Sequence, residues 1–95
     1  HKALEYSDKA LRIKEKLGDK KSIASTLNNI GSLYMSQEDY KKALEYFNKS
    51  LTLRQDINDK LGMSYSLSNI GSVYRTLKDY KQALHYYAQS LALRK

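Results

Sequence analysis

Apolar residues recur at steps of three and four along two stretches of the chain, Ile23, Leu27, Ile30, Tyr34 and Met63, Leu67, Ile70, Tyr74. That spacing puts each set on one face of an α-helix. A second stripe, Tyr40, Ala43, Leu44, Phe47, Leu51, returns as Tyr80, Ala83, Leu84, Tyr87, Leu91 and belongs to a different helix. Asp39 and Asp79 stand just before the second stripe, where a short acceptor side chain takes up a free amide of the first turn. Gly18 and Asn58 occupy matching places at the other boundary, and both residue types adopt the left-handed conformation that ends a helix. Asp19 and Asp59 follow them as caps of the next helix. Glu38 and Lys78 fall where glycine would be easier, so the turns they make are expected to be less ideal. The pattern predicts helices at 2–17, 20–37, 40–57, 60–77 and 80–94, with two-residue connections that make consecutive helices antiparallel neighbours.

The chain is also periodic. Leu27 to Arg54 and Leu67 to Arg94 share 16 of 28 aligned residues, and Ile30/Ile70, Tyr40/Tyr80, Ala43/Ala83 and Arg54/Arg94 each lie 40 apart. "KALEY" at 2–6 recurs at 42–46, so the period runs backwards to the start. A period of this size signals a solenoid, in which each unit buries its apolar face only by stacking on its neighbours. The expected architecture is all-α: an α-solenoid of stacked helical hairpins, read as second helix, first, second, first, second. It comprises a partial unit at 1–19 and units at 20–59 and 60–95. Because the first residue enters the repeat partway through a unit, the chain is expected to be an excerpt of a longer array.

Gly31 and Gly71 interrupt otherwise good helices at a cost of about 1 kcal/mol each relative to alanine. A close approach by the paired helix is the expected reason, with Ala43 and Ala83 as the small surfaces opposite. Tyr34, Tyr40, Tyr74 and Tyr80 sit at packing phases. Tyr6, Tyr46 and Tyr86 share a phase expected to fill the seam between units. His85, which aligns with Glu45, reads as a surface residue.

Composition narrows the function classes. The chain has no Pro and no Cys, which removes disulfides, thiolate metal sites and cysteine nucleophiles. The formal net charge is +7, and residues 60–95 carry six Lys/Arg against one Asp/Glu. No basic stripe is interleaved with aromatics in the way single-strand nucleic-acid binders require, so nucleic acid is not the expected partner. No apolar run approaches the roughly 20 residues that span a bilayer, no signal-peptide pattern opens the chain, and a soluble, cytoplasmic setting is weakly favoured. There is no phosphate loop, no metal-ligand cluster and no catalytic triad context. No cofactor or enzymatic activity is expected.

Leu27, Ile30, Gly31, Tyr34, Ala43, Phe47 and Ser50, echoed by Leu67, Ile70, Gly71, Tyr74, Ala83, Tyr87 and Ser90, resemble the tetratricopeptide repeat signature. The chain departs from it in a period of 40 rather than 34, in serine at the second small position, and in lacking the closing proline. In those respects it is similar to the longer repeats of kinesin light chain and of several bacterial regulators. The resemblance implies a groove lined by the first helix of each unit, which binds a peptide or protein segment. Carried over to this sequence, the groove positions are Ser25, Asn28, Asn29, Ser32 and Ser36 in one unit and Tyr65, Ser68, Asn69, Ser72, Arg75 and Thr76 in the next. Asn29 and Asn69 share a phase, and an amide that both donates and accepts suits a peptide backbone.

An alternative role is structural. A stack that begins and ends on a second helix presents uncovered faces, and Leu4, Leu11, Leu84, Tyr87 and Leu91 are the residues expected to carry homo-oligomerisation through the open ends. A third, that of an input domain within a larger signalling protein, is compatible with the first.

Overall fold

The structure is a computed structural model, and residues 20–94 are described below. Four helices follow one another in hairpins: α1 (Lys20–Ser36), α2 (Tyr40–Asp56), α3 (Lys60–Thr76) and α4 (Tyr80–Arg94). The expected helix at 2–17, the partial unit 1–19 and the candidates Leu4 and Leu11 lie outside the described residues. α1 packs on α2 and α3 on α4, while α2 and α3 join the two hairpins.

Each connection is closed by one piece of backbone chemistry. Glu38, Asn58 and Lys78 have φ of 62°, 54° and 66°, the left-handed region. Their amides donate to the carbonyls of Met35, Gln55 and Arg75. The next amides, of Asp39, Asp59 and Asp79, donate to Tyr34, Arg54 and Tyr74. This pair of bonds satisfies the last carbonyls of one helix. The same aspartates then start the following helix, each carboxylate accepting from the amide three residues on: Lys42 at 3.3 Å, Gly62 at 3.0 Å and Gln82 at 3.3 Å. One residue thus ends one helix and begins another, which is why two-residue turns suffice.

The core between the hairpins is Ala43 and Phe47 of α2 with Ile70 and Val73 of α3. The glycines are covered differently from the expectation. A Cβ at Gly31 would meet the Phe47 ring, and one at Gly71 the Tyr87 ring. The aromatic ring one turn beyond Ala43 or Ala83 fills the space, because a flat side chain can lie where helix axes come close. The tyrosines also differ. Tyr46 stacks on Tyr34 at 5.5 Å and Tyr86 on Tyr74 at 5.6 Å, so both pair within a hairpin. Tyr34, Tyr40 and Tyr74 are half-buried, whereas Tyr80 is exposed, since no described helix covers that side of α4. His85 is exposed, with Nε2 2.7 Å from Gln89 Nε2.

Candidate functional site

Between the paired helices the polar residues are not random solvation. Ser50 Oγ donates to the Ala24 carbonyl at 2.8 Å and lies 3.3 Å from Ser66 Oγ. In the next unit Ser90 Oγ donates to the Ser64 carbonyl at 2.9 Å and contacts the hydroxyls of Ser64 and Ser68. Serine at the second small position therefore keeps the close approach that alanine would allow and adds hydrogen bonds across it. All of these donors are buried with partners, which is the condition under which polar groups are tolerated inside.

Arg54 binds three elements together. Its Nε donates to Ser50 Oγ, its Nη2 to Ser25 Oγ of α1, and its Nη1 to the Asp59 carboxylate at 3.1 Å. Asp59 is at the same time the cap of α3. Gly62 makes the arrangement possible, for a Cβ there would collide with Nη1 of Arg54 and the carboxylate of Asp59. Sequence reasoning gave this arginine no role. The available signal was Arg54 recurring as Arg94, together with glycine at 62 where the matching residue is Ser22.

The eleven candidate groove residues divide into two groups. Asn29, Ser32, Ser36, Tyr65, Arg75 and Thr76 are exposed on α1 and α3. Tyr65 is 56% exposed, and Thr76 Oγ1 donates back to the Ser72 carbonyl. The others are engaged in packing. Ser25, although exposed, accepts from Arg54. Ser68 is held 2.7 Å from Ser90 Oγ and Ser72 3.0 Å from the Tyr87 hydroxyl, both on α4. Asn28 is 2% exposed, and its Oδ1 has no hydrogen-bond partner among the described residues. Asn69 is half-buried, and its Nδ2 is likewise buried and unpartnered. Of the residues proposed to carry self-association, Leu84 and Leu91 are exposed on α4, whereas Tyr87 is half-buried against Gly71.

A cleft of about 270 Å³ opens where α2, α3 and α4 meet, lined by Leu51, Gln55, Met63, Leu67, Gln89, Ala92 and Leu93. Met63 and Leu67 stand about half a turn round α3 from Tyr65 and Asn69, so this apolar space is separate from the candidate groove. Among the described residues no cluster of His, Asp or Glu is placed to hold a metal ion, and no helix is long and apolar enough to cross a membrane.

Stacked antiparallel hairpins that place a small residue beneath an aromatic ring in each unit are the tetratricopeptide arrangement, and the chain belongs to that family. The tetratricopeptide repeat family model matches residues 1–56 and 22–95. The general role of such repeats is protein–protein interaction. Among solved structures the chain is similar to BtubC (BKLC) from P. vanneervenii, with a TM-score of 0.85 and 27% identity over 95% of this chain. It spans 38% of the BtubC chain. It also resembles the N-terminal domain of stress-induced protein-1 (STI-1) from C. elegans, with a TM-score of 0.70 and 15% identity over 97% of this chain and 84% of that one. The latter likeness is one of fold alone. Among curated proteins no sequence relative matches.

Proposed function

We propose that the chain is a noncatalytic binding module that holds an extended peptide or partner segment along the α1/α3 face, with Asn29, Asn69, Tyr65 and Arg75 as its contacts. The observation that carries this reading is Asn69. Its Nδ2 is buried without a partner while the side chain is only half-buried. An unsatisfied amide costs free energy, and a modest rotation toward solvent would offer it to a passing backbone carbonyl. Asn29, at the same phase of the preceding unit, is already exposed. Two amides at a constant phase on successive units grip a backbone whatever its side chains are, and Tyr65 and Arg75 then set preference by apolar contact and by attraction to a carboxylate. The test is a peptide selected from a random library on the intact chain. Its affinity should fall roughly tenfold or more when Asn29 and Asn69 are both replaced by Ala, with the thermal midpoint little changed. Undiminished affinity in that variant would end the proposal.

A further inference from the structure

Each residue that α2 turns toward α3 has a counterpart forty positions on in α4. Tyr40, Leu44 and Leu51 are half-buried against the core that α3 completes with Ile70 and Val73. Tyr80, Leu84 and Leu91 are 59%, 69% and 59% exposed. The arginines repeat the contrast. Arg54 is 7% exposed and reaches the carboxylate that caps α3. Arg94 is exposed, with Nε 2.7 Å from Ser64 Oγ and no carboxylate partner among the described residues. The α2/α3 interface therefore specifies what covers such a face: a helix with aliphatic residues where α3 has Ile70 and Val73, begun by an acidic cap that meets the arginine.

We propose that the free face of α4 is a docking site for an amphipathic helix of that chemistry, with Arg94 receiving the carboxylate at its N-terminus. A second copy of α4 does not fit. Tyr80–Arg94 contains no acidic residue, so two such faces would set Arg94 and Lys81 against like charges with no carboxylate for either. The site is separate from the α1/α3 face and does not rest on the reading given for it.

The experiment uses the intact chain and a fluorescent peptide with the sequence of residues 57–77, followed by anisotropy. Saturable binding is expected. It should weaken roughly tenfold with the Leu91→Asp protein, since a charge then meets apolar contacts, and severalfold with Arg94→Glu. Both residues are exposed, so the variants keep their helical spectrum. A peptide carrying Asp59→Asn should also bind more weakly. Three results overturn the proposal: no saturable binding at the highest soluble peptide concentration, binding indifferent to both protein variants, or sedimentation showing that the chain alone forms a dimer that Leu91→Asp dissociates. In the last case a second copy is the occupant.

Discussion

The ring of Phe47 lies on the backbone of Gly31, so close that a Cβ on the glycine would stand 2.7 Å from the ring's Cε1. This contact explains why a residue unfavourable to helices sits in the middle of α1. Gly31→Ala should raise helix propensity by about 1 kcal/mol and yet destabilise the fold. Phe47 is 1% exposed and has nowhere to move, and overpacking a full site costs about 1–3 kcal/mol. Gly71→Ala should cost less, because Tyr87 over it is only half-buried and can shift outward. Urea unfolding of both variants checks the order, which would be reversed if the rings were not the reason for the glycines.

Asp59 and Asp39 cap equivalent helices, but only Asp59 also holds an arginine. Asparagine caps about as well as aspartate, so Asp39→Asn should be close to neutral. Asp59→Asn leaves the largely buried Arg54 without its carboxylate and should cost about 1.5–3 kcal/mol, the range for hydrogen bonds to charged groups. Denaturant titration of the two variants separates the cap from the ion pair, and equal effects would remove the special role given to Arg54.

Glu38 and Lys78 hold a left-handed φ that disfavours residues with a Cβ by about 1–2 kcal/mol. Glycine removes that cost but adds freedom to the unfolded chain worth about 0.4–1 kcal/mol. Glu38→Gly and Lys78→Gly should each stabilise by about 0.5–1 kcal/mol. Their thermal midpoints should rise.

The helices and their turns were legible in the sequence because each boundary is written in local chemistry. Asp39, Asp59 and Asp79 have a cap's short acceptor, and Asn58 tolerates the left-handed turn. Which atoms meet across the helices was not legible. Ala43 and Phe47 share a face of α2, and only the crossing of the helices decides that the ring rather than the methyl covers Gly31. Ser68 and Ser72 read equally well as open groove or as packing. Their hydroxyls turn to α4 because Ser90 and Tyr87 stand there to receive them. Arg54, in the last turn of its helix, resembles an ordinary surface cation until Asp59 and Gly62 are seen around it. The exposed members of the candidate site, Asn29, Tyr65 and Arg75, followed from phase alone.

Burial, and after it the neighbouring Tyr86 and Asp79, raise the Tyr74 phenol above its ordinary value. A folded-state pKa above the unfolded one means that the native chain binds more protons through that interval. The corresponding stability is fully present below about pH 10, the unfolded tyrosine value, and is lost as pH rises through the folded value. Spectrophotometric titration should show one tyrosine ionising after the others. Tyr74→Phe should remove that late step and flatten the alkaline loss of stability.

The central claim, that the α1/α3 face binds a peptide, is tested most directly by the amide spectrum of the isotope-labelled chain as a library-selected peptide is added. The expected result is a set of shifts centred on Asn29, Tyr65, Asn69 and Arg75, with α4 quiet. Shifts confined to Tyr80, Leu84 and Leu91, with the α1/α3 face unmoved, would contradict it.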